Sequence, residues 1–246
     1  MKIFSFLLGI FLFLASSFAG TIDPNVEDSK YVEYGSKFHH TVKIMCDDDR
    51  GVSAGSAVII NKNWILTAAH IVKNMRNHRI ILSNKEYVLD KVICHEKYSD
   101  NVFGYYDIAL GHIKDEVDLE PYPALYENND EIGKLATITG LGFTGNFNTG
   151  VNISDGKKRA GSNYVEKIER GTLVCNASKP HQKITELEYL ICSGDSGGGL
   201  FIDGKLAGIN SSVLGYDDKP DSTYGDESCH TRISMYIPWI KNIIKK

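Results

Sequence analysis

The stretch "GGGLFIDGKLAGINSSV" (197–213) carries the clearest short-range structural signal in the chain. Its centre, "FIDGKLAGI" (201–209), sets an Asp-Gly pair between two apolar arms, the pattern of a β-hairpin closed by a tight turn. The same texture recurs on the N-terminal side: "TVKIMC" (41–46), "GSAVIINKNWILTAAH" (55–70), "RIILSNKEYVLDKVICHEKY" (79–98), "DIALGHI" (107–113), "KLATITGLGF" (134–143) and "SNYVEKI" (162–168). Each is rich in Val, Ile, Thr or Tyr and is bounded by Gly, Asn or Asp. Short strands at close spacing predict an all-β sandwich or barrel, because alternating strand and helix patterns are missing.

The chain has 246 residues, 42% of them hydrophobic and 24% charged, enough for one large globular domain or two small ones. A net charge of −4 supplies no basic field to attract phosphates, which argues against nucleic-acid binding. The rhythm lapses in the acidic stretch "DEVDLEPYPALYENNDEIGK" (115–134), which contains Pro121 and Pro123. We therefore expect a first β unit at 41–120, a linker at 121–132 and a second β unit at 133–235. The tail "SMYIPWIKNIIKK" (234–246) has apolar residues at helical spacing and closing lysines, which predicts a C-terminal helix within 236–246.

The opening "MKIFSFLLGIFLFLASSFAG" (1–20) has one lysine, an apolar run and small residues at Ser17 and Ala19. The run is shorter than the roughly 20 residues of a membrane span. It reads as a secretory signal, 1–19, cut after Ala19, giving an extracellular or periplasmic protein with no membrane attachment. Residues 20–40 then form an N-terminal segment that is a candidate propeptide. The five cysteines are widely spaced, with no Cys-x-x-Cys pair, so neither a metal site nor a cofactor is expected.

"ICSGDSGGGL" (191–200) places Ser196 among glycines, either as a turn residue or as a nucleophile. A hydroxyl nucleophile needs a base, an acid to orient that base, and donors for the oxyanion. "WILTAAHIV" (64–72) puts His70 after an apolar strand and two alanines, and "YYDIALGHI" (105–113) puts Asp107 at the start of a strand. Taken singly, each has an ordinary structural reading.

Together, "LTAAH", "DIAL" and "GDSGGGL", in the order His, Asp, Ser, resemble the trypsin/chymotrypsin-like serine peptidases from about Thr41 to the C-terminus. The resemblance implies two six-stranded antiparallel β-barrels with a C-terminal helix and a site in the cleft between them. It further implies a monomeric endopeptidase acting on protein or peptide substrates through an acyl-enzyme. His70, Asp107 and Ser196 would be its catalytic residues, and the N–H groups of Gly194 and Ser196 its oxyanion hole. Ser211 would bond the triad aspartate, and Asp195 would lie behind the nucleophile. The competing reading is a binding protein that keeps the fold without catalysis.

By the same resemblance the substrate pocket comprises Leu190, Ile191, Ser212, Val213 and His230. Leu190 stands where the trypsin branch carries an aspartate, so a basic P1 side chain would be left unpaired. His230 is either a packing residue or a recognition element for an acidic P1. Cys192 falls at a pocket disulfide position, with Cys229 as its only candidate partner. The bridge that commonly staples the histidine loop is missing, since Ser53 and Ile71 stand there. The family start that inserts a new amine beside the acid preceding the nucleophile is also missing. Either Asp195 is buried against another partner, or the chain starts differently, for instance at Tyr31 after a cut at Lys30.

Overall fold

The computed structural model describes residues 20–102, 104–153, 155–177, 184–215, 217 and 219–245; the expected leader, 1–19, lies outside the described residues. The chain opens with a two-residue strand, β1 (Thr21–Ile22), and a helix, α1 (Asp28–Ser36). The first unit follows as β2 (Thr41–Asp48), β3 (Gly51–Asn61), β4 (Trp64–Thr67), the short helix α2 (Ala69–Val72), β5 (Arg76–Leu82), β6 (Lys85–Cys94) and β7 (Ala109–Ile113). Its strands close into a barrel in the order β2-β3-β4-β7-β6-β5, which leaves no unpaired edge. Alternation along β2 sends Val42, Ile44 and Cys46 inward, where they pack with Ile59, Ile65, Ile80 and Ile113.

The second unit comprises β8 (Leu135–Gly140), β9 (Thr144–Asn146), β10 (Gly150–Ile153), β11 (Arg159–Tyr164), β12 (Lys167–Glu169), β13 (Thr172–Asn176), β14 (Tyr189–Leu190), β15 (Gly199–Ile202), β16 (Lys205–Leu214) and β17 (Glu227–Arg232). Seven of these strands form one sheet, ordered β11-β8-β15-β16-β17-β13-β12. The hairpin expected at 201–209 joins β15 to β16, with Asp203 and Gly204 at φ +50° and +73°, the left-handed pair such a turn requires. The sheet curls into a half-barrel rather than closing as a ladder. Its edge strand β11 is tied to β13 by a side chain instead, Asn163 Nδ2 donating to the Asn176 carbonyl at 2.7 Å. A C-terminal helix, α3 (Ile237–Ile244), completes the chain within the expected span.

Outside this ladder, β9 and β14 pair with the N-terminal strand β1, and β10 pairs with β9. They form a four-stranded sheet, β10-β9-β1-β14, in which β1 is held on both sides. Ile22 and Tyr31 reach the same core as Ile138, Leu173 and Leu200, so residues 20–36 are built into the second unit. Helix α1 is clamped by Arg159, whose side chain is 1% exposed and bonds Asp28 at 2.6 and 2.7 Å and Asp155 at 2.7 and 2.9 Å. Replacing that guanidinium by an apolar group removes four charged hydrogen bonds and the common partner of two half-exposed carboxylates. Arg159→Met is expected to cost about 2 kcal/mol, read as a lower urea midpoint.

The two units share one core. Val58, Leu66 and Leu110 of the first pack with Phe201, Leu206 and Ile209 of the second and with Ile233 and Ile240 at the C-terminus. The linker is likewise fastened: Tyr126 N donates to Leu206 O at 2.8 Å, and the buried Glu131 accepts from Arg232 and Ser234.

Candidate active site

His70 sits in α2, immediately after β4. Ala68 and Ala69 are fully buried beside it, so the chain turns there with no room for larger side chains. Its backbone N–H donates to Asp107 Oδ1 at 2.9 Å, and Nδ1 lies 2.8 Å from Asp107 Oδ2. A carboxylate only accepts, so Nδ1 carries the proton and Nε2 is left as the basic nitrogen. Asp107 precedes β7 and is 5% exposed. It follows Tyr106, whose positive φ of +65° is held by a hydrogen bond from its N–H to the Tyr236 hydroxyl.

The second unit completes the hold on Asp107. Ser211 Oγ donates to Oδ2 at 2.6 Å, and Thr231 Oγ1 donates to the Asp107 carbonyl at 2.9 Å. Burial pushes the Asp107 carboxyl up, but the His70 and Ser211 hydrogen bonds and the His70 charge outweigh it and hold the group below its ordinary 3.8. Removing one of those bonds by Ser211→Ala is expected to lower kcat about ten-fold, measured on a peptide ester.

The loop that carries Ser196 is bound to the first barrel through Ser56 of β3. Ser56 N donates to Ser196 O at 2.8 Å, and Ser56 Oγ donates to Gly194 O at 3.0 Å. Gly197 lies at φ +86°, and a Cβ there would come within 2.0 Å of the Ser56 carbonyl, so only glycine lets the barrels approach this closely. Phe143 N donates to Ser193 O at 2.8 Å. In that planar trans peptide the Gly194 N–H therefore faces the opposite way. Among the described residues no hydrogen bond joins Ser196 Oγ to His70, a contact that commonly tightens only with substrate bound.

The Trypsin family model matches residues 34–240. The chain belongs to the trypsin-like serine peptidases. Curated relatives include the human chymotrypsin-like elastase family member 1, 28% identical over 76% of this chain and 79% of the relative. Human kallikrein-8 is 30% identical, covering 76% of this chain and 75% of its own. Among solved structures, HL collagenase aligns with a TM-score of 0.70 at 19% identity, over 86% of this chain and 96% of the other. A mouse neuropsin, described as a serine protease, aligns at 0.65 and 20% identity, over 85% and 96%; at these identities both show the shared fold. The peptidase is a serine endopeptidase, acting on protein or peptide substrates.

In the peptidase, a hollow of about 230 Å³ beside Ser196 is lined by Ile191, Cys192, Ser193, Ser211, Ser212, Val213 and Pro220. Ile191, Ser212 and Val213 are among the lining, and among the described residues the buried Ser212 Oγ has no hydrogen-bond partner. Leu190 does not line this hollow. Its pairing with Thr21 turns it into a small core with Phe147 and Ala177.

Nor does His230 line it. Paired with Asn210 across β16 and β17, it is fully buried, Nδ1 meeting Asn210 Oδ1 at 2.8 Å. Burial lowers it to about 3, so it is neutral and cannot meet an acidic P1. The Cys192–Cys229 bridge is also absent, since all five cysteines are free thiols. Cys192 Sγ donates to the Phe143 carbonyl, while Cys229 is locked inside the β13–β17–β16 ladder opposite Val174 and Ser212. Sequence reasoning missed Thr231, which holds Asp107, and Ser56 and Asn210, which hold the Ser196 loop, Asn210 Nδ2 bonding the carbonyls of Thr139 and Asp195; only the packing of distant strands brings them there.

Proposed function

We propose that this enzyme is an exported, monomeric endopeptidase using a Ser196–His70–Asp107 triad, with a preference for small or medium apolar P1 residues. Ser196 Oγ attacks the scissile carbonyl while His70 Nε2 takes its proton. The acyl-enzyme forms as His70 returns that proton to the leaving amine, and a water then repeats the cycle. The N–H groups of Gly194 and Ser196 stabilise the oxyanion. The chain of hydrogen bonds from Ser211 through Asp107 to His70 carries the reading, because it leaves His70 with one basic nitrogen next to the nucleophile loop. Export rests on the opening apolar run; among the described residues no helix is long and apolar enough to cross a membrane.

The P1 preference rests on the lining of the hollow, in which Ile191, Val213 and Pro220 provide apolar walls and, among the described residues, no carboxylate takes part. A P1 library is expected to show Ala or Val cleaved about 100-fold faster than Arg or Lys, the loss from a charge left unpaired. A preference for Arg or Lys overturns this and points instead to Asp221, in the adjoining hollow with Phe143 and Pro220. Failure of the folded protein to react with a fluorophosphonate would favour a non-catalytic binding role.

A further inference from the structure

A separate hollow of about 420 Å³ opens between the two units and shares no lining residue with the one beside Ser196. Its size is that of a small-molecule site. Val42, Leu82, Leu119 and Leu141 give it apolar walls, and its titratable side chains are His39, Lys43 and Lys158. Among the described residues no Asp or Glu lines it. In a chain of net charge −4 this is a local surplus of positive charge.

Lys158 carries most of that surplus. It directly precedes Arg159, whose clamp on α1 fixes the backbone there. An ammonium has three N–H donors, and the one hydrogen bond it makes among the described residues runs to the Phe38 carbonyl at 2.7 Å, just past the end of α1. No carboxylate meets it among the described residues. Burial lowers this amine to about 8, so it is still mostly a cation at neutral pH. Lys43, between the inward-facing Val42 and Ile44 of β2, likewise has no ion pair among the described residues. His40 offers no relief: its Nε2 bonds the Leu119 carbonyl at 2.8 Å, and burial first, then the His39 and Lys158 charges, hold it below its ordinary value.

A lysine that only capped α1 could do so from the surface, with its other donors in water. Here the same side chain lines an apolar-walled hollow, and that combination selects a ligand. A carboxylate offers two acceptor oxygens to ammonium groups, while an apolar body covers the wall that water would otherwise wet. A bare inorganic anion leaves the wall uncovered, and a neutral lipid leaves the cations unmatched.

We propose that this hollow binds a carboxylate on an apolar body, of the medium-chain fatty-acid kind, the carboxylate meeting Lys158 and Lys43 and the chain lying against Leu82, Leu119 and Leu141. The site adjoins the Ser196 loop through Leu141, whose N–H donates to Ser56 Oγ at 3.1 Å, the hydroxyl that donates to Gly194 O at 3.0 Å.

Titration calorimetry of the folded chain with octanoate, octanol and octylamine tests this. Octanoate is expected to bind saturably, octanol about 30-fold more weakly for want of charge-assisted hydrogen bonds, and octylamine without measurable heat. Lys158→Met is expected to weaken octanoate about 30-fold and to leave octanol unchanged. Because Lys158 also bonds Phe38, Lys43→Met supplies a variant that keeps that contact, and it is expected to weaken octanoate about five-fold. Octanol binding as tightly as octanoate overturns the proposal. So does octanoate affinity unchanged in both lysine variants, the result if octanoate enters the hollow beside Ser196 instead. Octanoate giving no saturable heat overturns it as well.

Discussion

Ser196→Ala is expected to lower kcat/KM about 10⁵- to 10⁶-fold, the scale seen when a hydroxyl nucleophile is removed from a working triad. The variant should keep its fold, because the loop is held by groups other than the Ser196 hydroxyl: the Ser196 carbonyl accepts from Ser56 N, Gly194 O accepts from Ser56 Oγ, and Gly197 N donates to Asn210 O. Fluorophosphonate labelling and circular dichroism on the same sample check this. Labelling that persists in the variant would place the reactive group elsewhere.

Asp107→Asn is expected to lower kcat about 10⁴-fold with little change in KM. Both carboxylate oxygens of Asp107 accept, from His70 N, His70 Nδ1 and Ser211 Oγ. An amide must point its NH2 at one of these donors, or turn so that Nδ1 accepts and Nε2 carries the proton. In that tautomer His70 has no lone pair for Ser196. The same contacts determine the acid limit of the wild type. The folded-state acid lies below its ordinary 3.8, so the stability and the anchoring it supplies are present above that value. They are lost as pH falls through the lower folded value. Burst kinetics across pH 3 to 7 should show loss from this group only below about pH 4.

Several features were legible in the sequence because their causes are local. The Asp203-Gly204 turn needs only two adjacent left-handed residues, and "LTAAH" needs only small residues where a strand turns into a helix. Ser53 and Ile71 report the missing histidine-loop bridge directly. Other features depended on which strands pair. His230 looks like a pocket residue until its register with Asn210 turns it inward, and Leu190 does so until β1 pairs with it. Cys192 and Cys229 seem matched until the β16–β17 ladder takes Cys229 into its interior.

The N-terminal segment shows the division most clearly. By itself the sequence set the expectations of a leader ending at Ala19 and of a nucleophile beside Asp195, and it lacks the family's usual start. That the Gly20 N–H bonds the Asp195 carboxylate was decided by tertiary structure alone. The contact spans 175 positions, and it forms because β1 is inserted between β9 and β14 while the Tyr189 ring leaves space beneath it for glycine only. Local chemistry writes turns and motifs into neighbouring residues, whereas the neutralisation of a buried charge depends on whichever distant atoms the packing brings to it.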